Sequence, residues 1–301
     1  MHLSIQNLSK VYQDGKTALN GFNWELERGI YGLLGPNGAG KSTLLEILSL
    51  GLMPTSGRVL WDGWDIQKKP NAFRRILGYL PQSYGFYPEL KTWQILDYMG
   101  HLHGLHGRRL KRRIGEVLEV MGLGNDVKRK VGTFSGGMRQ RLAIAQSLLH
   151  SPQILVIDEP TTGLDPGERV AFRNMLFDLG RSCVVLLSTH IVKDVEFSCH
   201  QMSLLYDGVQ RFTGEPSEFM KRVEGRVFET LIPFEEFAKF SKEQCVIAIQ
   251  ERGKEVTVRF IASNGVREIP GAQPVRVNVE DAYVDFIRQC GEEELLDEEV
   301  V

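Results

Sequence analysis

The sequence contains little cysteine and no long apolar run. Its four cysteines (Cys183, Cys199, Cys245 and Cys290) are widely separated and have no C-x-x-C spacing. This disfavours a disulfide framework or a zinc site and is typical of thiols in a reducing cytosol. No stretch approaches the ~20 apolar residues that span a bilayer, and the first residues lack a signal-peptide pattern. We therefore expect a cytoplasmic chain that reaches a membrane only through a partner.

The sequence also carries almost no net charge. Its 36 Lys and Arg residues nearly balance 38 Asp and Glu residues, which leaves a formal charge of −2. Bulk electrostatics therefore favour neither nucleic acid nor an anionic membrane as a partner. Hydrophobic residues make up 42% of the 301 residues, which is enough for one large α/β domain with a smaller appendage.

A glycine-rich stretch lies between a predicted strand at 30–34 and a predicted helix at 44–50. It fits G-x-x-x-x-G-K-[ST], the phosphate-binding loop, and the strand–loop–helix setting is the one that this motif requires. Its backbone N–H groups and the helix N-terminus bind an anion. Lys41 would contact the β- and γ-phosphates and Ser42 would contact Mg²⁺, so we predict binding of a nucleoside triphosphate. The loop consists of Gly35, Pro36, Asn37, Gly38, Ala39, Gly40, Lys41, Ser42 and Thr43.

A second apolar run, at 154–157, ends in Asp158 and Glu159. A run this apolar suits a central parallel strand that is covered on both faces. Burial of unpaired carboxylates is costly, so these two acids indicate chemistry rather than packing. Asp158 would hold Mg²⁺ through water, and Glu159 would orient or deprotonate an attacking water.

Two polar residues follow other predicted strands. Gln82 comes after the strand at 76–80, and His190 follows the strand at 183–188. Ligand sites in open α/β sheets collect at such strand ends. By itself, however, a glutamine such as Gln82 is usually a solvated loop residue, and His190 fits a phosphate contact and an ordinary loop histidine equally well.

Two further features are uninformative when each is taken alone. Tyr12 precedes a turn at Asp14-Gly15 and fits a half-buried strand residue. Ser135, Gly136 and Gly137 begin an apolar helix with a hydroxyl at its cap, which is the pattern of any well-capped helix. Their order relative to the other motifs is what gives them meaning.

Taken together and in this order, the motifs resemble the nucleotide-binding subunit of an ATP-binding cassette (ABC) transporter over roughly residues 2–222. The resemblance implies that Tyr12 stacks on adenine and that Gln82 senses metal and water. It implies that Ser135–Gly137 closes over the γ-phosphate held by another subunit, and that Asp165 also belongs to the nucleotide site. It assigns catalytic roles to Lys41, Gln82, Glu159 and His190, with Mg²⁺ contacts from Ser42, Gln82 and Asp158.

The resemblance also implies a fold and two domains. Residues 1–222 would form an α/β P-loop NTPase domain with a mostly parallel core sheet, an antiparallel β subdomain and a helical subdomain at about 85–150. Residues 223–301 would form a small α+β accessory domain. There we predict a strand at 275–279, a helix at 280–289 and a disordered acidic tail, since six of the last ten residues are acidic.

The expected partners are a second copy or a homologous ATPase subunit, and an integral-membrane permease at the inner face of the cell membrane. The glycine-rich stretch around Ser135–Gly137 is the family's signature, and in this chain it ends in Met138. This ending, together with the C-terminal extension, resembles the exporter branch whose permease is separately encoded. Two alternatives remain open at this point. One is a soluble ABC-type ATPase acting on ribosomes or DNA, which the neutral charge disfavours. The other is a regulatory module that binds ATP without hydrolysis.

Overall fold

The computed structural model describes residues 1–161, 164–262, 269 and 271–298, with side chains as far as Cys290. It divides into two compact units, Met1–Thr213 and Gly214–Val301. The predicted domains meet after residue 222, whereas these compact units meet after Thr213. Whether residues 1–222 and 223–301 act as separate domains stays a prediction. All four cysteines are free and buried. Within the described residues, no helix combines the length and the apolar character needed to cross a membrane.

The secondary structure alternates between strands and helices for most of the chain. The strands are β1 (Leu3–Val11), β2 (Thr17–Leu26), β3 (Gly29–Leu34), β4 (Ser56–Trp61), β5 (Trp64–Asp65), β6 (Leu77–Leu80), β7 (Ile154–Asp158), β8 (Val184–Thr189), β9 (Gln201–Tyr206), β10 (Val209–Gly214), β11 (Val227–Pro233), β12 (Cys245–Arg252), β13 (Glu255–Ile261) and β14 (Gln273–Pro274). The α-helices are α1 (Lys41–Leu48), α2 (Pro70–Arg74), α3 (Thr92–Leu102), α4 (Gly107–Val120), α5 (Gly136–Leu148), α6 (Pro166–Gly180), α7 (Val192–Ser198), α8 (Pro216–Met220), α9 (Phe237–Glu243) and α10 (Val279–Glu298).

The first unit is built on a ten-stranded sheet in the order β5-β4-β1-β2-β10-β9-β3-β8-β7-β6. The pairs β6/β7, β7/β8, β8/β3 and β3/β9 are parallel. Every residue of β7 and β8 is buried, because these apolar runs lie at the centre of the parallel region and are covered on both faces. The carboxyl ends of β3, β6, β7 and β8 therefore lie at one edge of the sheet.

Strand β10 pairs with β2 in parallel, and the sheet beyond β2 is antiparallel. Strand β1 pairs with β2 on one side and β4 on the other, and β4 pairs with β5. The turn at Asp14-Gly15 falls where the sequence predicts it, and a second turn lies at Asp62-Gly63; Gly15 and Gly63 have φ values of 86° and 83°. The mixed sheet agrees with the expected fold class.

Helices α3, α4 and α5 lie between β6 and β7 in sequence and pack on one another. The α3–α4 contact is close at Gly100, where a side chain would collide with Leu110. Helix α5 is buried on most of its surface, where Leu142, Ile144 and Leu148 are among its buried residues. These packed faces explain why the apolar periodicity of this region predicts helices.

The second unit has a four-stranded antiparallel sheet in the order β12-β13-β11-β14. Its core contains Val256, Val258 and Phe260, and the Phe240 ring meets the Phe260 ring edge-on at 5.0 Å. The β12–β13 hairpin turns at Gly253, whose φ is 69°.

Two predictions for this unit are wrong. The alternating valines at 275–279 suggested a strand, but the strand is confined to Gln273–Pro274, and Val279 begins α10. Asn278 caps that helix, since its Oδ1 accepts a bond from Asp281 N at 2.9 Å. The helix then continues through Glu298, whereas the last ten residues were expected to be disordered. Glu and Leu are good helix formers, so they extend a helix that is already started; residues 299–301 lie outside the described part.

Arg259 and Asp281 form a buried ion pair in the second unit. Asp281 is 0% exposed and accepts bonds from Arg259 Nε at 2.8 Å and Nη2 at 2.6 Å. We expect Asp281→Ala to lower the free energy of unfolding by about 3 kcal/mol, because it removes two charge-assisted hydrogen bonds and leaves a partly buried guanidinium with only Glu229 and the Arg276 carbonyl as partners. Urea unfolding followed by circular dichroism measures this loss. The exposed Glu251→Ala serves as control and should change stability by less than about 0.5 kcal/mol; equal losses in both variants would refute the prediction.

Candidate functional site

The loop between β3 and α1 has a backbone that accepts only glycine at several positions. Gly38 and Gly40 have φ values of 85° and 104°, in the region that side chains disfavour. A side chain at Gly35 would collide with the carbonyl of Leu205, and one at Gly40 would collide with the carbonyl of Ala18. The loop is thus held against neighbouring strands, with the N-terminus of α1 behind it. This is the arrangement of a phosphate-binding nest.

Lys41 is the first residue of α1 and its side chain is buried. It is 6% exposed, and its Nζ donates to the carbonyls of Gly35 at 2.6 Å and Pro36 at 3.0 Å. Burial lowers the pKa of this ammonium, while the charges of Glu159 and Asp158 oppose that shift. Among the described ion pairs, none includes Lys41. A buried cation beside an anion-binding loop fits a phosphate group.

Strand β7 delivers its two carboxylates to the same edge of the sheet. Asp158, at 7% exposed, is the last residue of β7, and burial raises its pKa, as does the neighbouring charge of Glu159. Glu159 follows with a φ of 47° and donates its N–H to the carbonyl of Ser188 at 2.9 Å. Such a φ costs roughly 1–3 kcal/mol for a residue with a side chain and is concentrated at functional sites.

Three predicted catalytic residues meet at the Glu159 carboxylate, whose side chain is 9% exposed. His190 Nδ1 lies 2.8 Å from Oε1, and Gln82 Nε2 donates to Oε2 at 3.4 Å. His190 follows β8 and Gln82 follows β6, and both reach Glu159 because these two strands flank β7 on either side. The sequence predicted each residue separately; the structure brings them together.

Gln82, Asp158, Glu159 and part of the phosphate-binding loop line a cavity of about 230 Å³, whereas His190 contacts Glu159 without being one of the lining residues. Tyr12 stands at its side, with its hydroxyl 3.2 Å from Thr43 Oγ1. Sequence analysis missed Lys16 and Ala18, which line the cavity after the Asp14-Gly15 turn; only their position next to that turn could have signalled them. The predicted lining residues are Tyr12, Asn37, Gly38, Gly40, Lys41, Ser42, Thr43, Gln82, Asp158 and Glu159, while Gly35, Pro36 and Ala39 belong to the loop without lining it.

The signature residues and Asp165 do not line this cavity. Ser135 caps α5 by accepting a bond from Met138 N at 3.2 Å, and Asp165 caps α6 by accepting one from Glu168 N at 2.8 Å. The position of a Gly136 side chain is open space. Gly136 instead lines a separate open pocket with Gln82. In one chain, therefore, the phosphate loop and the signature form two distinct surfaces.

The cavity offers the groups that a magnesium–nucleotide complex requires. The hydroxyl of Ser42, the carboxylate of Asp158 and the amide oxygen of Gln82 are the hard oxygen donors that Mg²⁺ prefers. The loop N–H groups and Lys41 supply the positive charge that phosphates need. A carboxylate, Glu159, is held beside them in a fixed orientation.

The chain is similar to known proteins of one family. Residues 19–162 match the family model described as "ABC transporter". The chain is 39% identical over 226 residues to an uncharacterised ABC transporter ATP-binding protein, YxlF, of Bacillus subtilis, covering 75% of each chain. It is 36% identical to the linearmycin resistance ATP-binding protein LnrL of the same organism, over 74% of this chain and 72% of LnrL.

A solved structure agrees with the fold. A dimeric ATP-binding cassette in a post-hydrolysis state, bound to ADP and phosphate, superposes with a TM-score of 0.64 at 25% identity. The alignment covers 71% of this chain and 98% of that one. The large mixed sheet with its phosphate-binding loop is accordingly the P-loop NTPase fold of ABC ATPases, as the sequence predicted. The chain belongs to the family of ATP-binding subunits of ABC transporters.

Proposed function

We propose that this chain is the ATP-hydrolysing subunit of an ABC transporter, that it dimerises on ATP, and that it drives a separate membrane permease for export. The observation that carries the proposal is the Glu159 carboxylate, held by His190 and Gln82 in the cavity behind the phosphate loop. Resistance-type relatives such as LnrL support transport over action on ribosomes or DNA.

Nucleotide binding in this proposal relies on charges that are already buried. Lys41 exchanges its bonds to the Gly35 and Pro36 carbonyls for the β- and γ-phosphates. Mg²⁺, when bound, neutralises phosphate charge, and Ser42, Asp158 and Gln82 are the residues that would hold it. Tyr12, 37% exposed at the side of the cavity, would stack on adenine.

Glu159 is the proposed general base. Its carboxylate would orient and deprotonate the water that attacks the γ-phosphate. His190 Nδ1, 2.8 Å away, fixes the carboxylate in position, and His190 would also contact the terminal phosphate. The backbone of Glu159 has a positive φ, and this fixed, strained conformation holds the side chain in place for the reaction.

A second chain would complete the site. The signature, Ser135 to Gly137, starts a helix whose first turn carries unpaired N–H groups, but it lies outside the phosphate cavity of its own chain. A head-to-tail dimer lets each signature reach the γ-phosphate on the other chain, with Asp165 beside it. The similar dimeric cassette bound to ADP and phosphate supports this assembly.

The proposed permease contact lies after β6. The Tyr84 and Phe86 rings pack 5.8 Å apart, and Tyr87 is 77% exposed. An aromatic cluster next to Gln82 would connect the catalytic site to a membrane partner on the inner face of the cell membrane. The accessory domain, residues 223–301, would assist association with the second chain or the permease.

Glu159→Gln tests the catalytic assignment. The amide keeps the size of the side chain but cannot accept a proton, so we expect ATP turnover to fall by about a hundredfold or more while ATP binding persists. Phosphate release and nucleotide binding measure the two effects. Glu119→Gln, on the exposed face of α4, is the control. A turnover unchanged in Glu159→Gln would refute the assignment of Glu159 as the general base, and a parent chain without turnover would be only a binding module.

Tyr87→Ser tests the docking surface. We expect it to reduce co-purification of a multi-span membrane protein with the full chain in mild detergent, because a bulky exposed ring at the proposed contact is lost. The control is Phe177→Ser, which removes an aromatic residue of similar exposure, 65%, from α6. Equal recovery of the membrane protein with both variants would exclude this contact.

A truncation after Arg222 tests the domain division. We expect ATP binding to survive, since the cavity residues all lie in the unit Met1–Thr213. The truncation after Arg222 removes Phe286, whose ring lies 6.4 Å from that of Phe219, and so leaves the Phe219 ring partly uncovered. A second truncation, after Gly214, removes Phe219 as well and keeps β10 whole. Binding of a fluorescent ATP analogue is the measurement. Two folded truncations that both fail to bind would contradict the division.

A further inference from the structure

The first turns of α5 and α6 touch each other at Gly137 and Glu168. A side chain at Gly137 would collide with the carboxylate of Glu168, which fills the space beside the signature backbone. Gly137 is the second residue of α5. An acidic group is therefore held against the helix end whose free N–H groups attract anions.

Glu168 is held there by its own helix. Its backbone N–H donates to Asp165 Oδ1 at 2.8 Å, which fixes its place three residues after the α6 cap. Within the described part of the chain, its carboxylate has no hydrogen-bond or ion-pair partner. Arg141 lines the same cavity of about 340 Å³ but does not pair with it.

The surroundings of this carboxylate are largely apolar. Leu164, Phe172 and Ile144 line the cavity with Glu168 and Gly137, and Glu168 itself is only half-exposed. Electrostatic interactions are less screened there than in open water. The positive end of α5, which would attract a phosphate, therefore has a negative charge beside it at Gly137.

We propose that Glu168 is an internal competitor of the γ-phosphate: its carboxylate occupies the anion-attracting surroundings of the signature turn and raises the ATP concentration at which two chains close. This inference rests on the proposed ATP-dependent dimer and concerns its regulation. The Asp165 side chain accepts a bond from the Glu168 backbone N–H, and the Glu168 carboxylate lies against Gly137. The carboxylate is therefore placed between the first turn of α6 and the first turn of α5, both of which belong to the proposed dimer interface. Removing its charge should favour closure, whereas a merely structural side chain would weaken closure when altered.

The experiment uses the full chain carrying Glu159→Gln, so that ATP is bound but not consumed. Glu168→Gln is added, which keeps the shape of the side chain and the backbone bond to Asp165. Sedimentation velocity across an ATP–Mg²⁺ titration gives the half-maximal concentration for dimer formation. We expect Glu168→Gln to lower it about three- to tenfold, the size of one charge interaction at partly screened range. Glu168→Lys should lower it further.

Asp178→Asn is the matched control, because it removes the same charge from an exposed position on the same helix and should leave the midpoint unchanged. The gap between Glu168→Gln and its parent should narrow as salt rises, since screening weakens the competition. A midpoint that is unchanged or raised in Glu168→Gln, in a parent that dimerises, overturns this inference alone. A parent that stays monomeric at saturating ATP overturns the dimer proposal and this inference with it.

Discussion

The parallel alignment of β6, β7, β8 and β3 is the constraint on which the site depends. Side-by-side register pairs Asp158 with Ser188 and Leu34 with Thr189, so the chain leaves all four strands at one edge of the sheet. The residue after each strand then enters one region, although Gln82 and Glu159 are 77 positions apart in sequence. A slip of one residue would turn each side chain to the opposite face of the sheet.

The site holds charges at a cost to stability. Burial lowers the pKa of Lys41 and raises that of Asp158, so each group is pushed toward its neutral form by its surroundings. A bound phosphate would stabilise the charged form of Lys41, and a bound divalent cation would stabilise the charged form of Asp158. The same two charges partly offset each other across the cavity, which keeps the site intact before any ligand arrives. Buried charges that lower the stability of the fold are expected where a protein binds a charged ligand.

The sequence predicted those features that are determined within one short stretch of the chain. The phosphate loop was predictable because its spacing, glycines and flanking elements occupy one stretch, and the buried run before Asp158 indicated a central strand. The contact of Glu159 with His190 was not, since it depends on the order of strands in the sheet. Strands β9 and β10 went unpredicted, yet Gly208 after β9 donates to the Ala39 carbonyl at 3.0 Å. At 275–279 the valine alternation was overridden by the Asn278 cap.

The separation of the two glycine-rich turns has an energetic consequence. A helix end exposed to water gains little from a phosphate, because water already satisfies its N–H groups and screens the charge. Ser135 and Gly136, the exposed residues of this turn, therefore have no strong hold on nucleotide while they are solvated. In the proposed dimer, closure removes that water at the moment when the γ-phosphate arrives, so the interaction gains strength only when both chains are together. Hydrolysis then removes the charge that held them, which makes the contact a switch rather than a permanent interface.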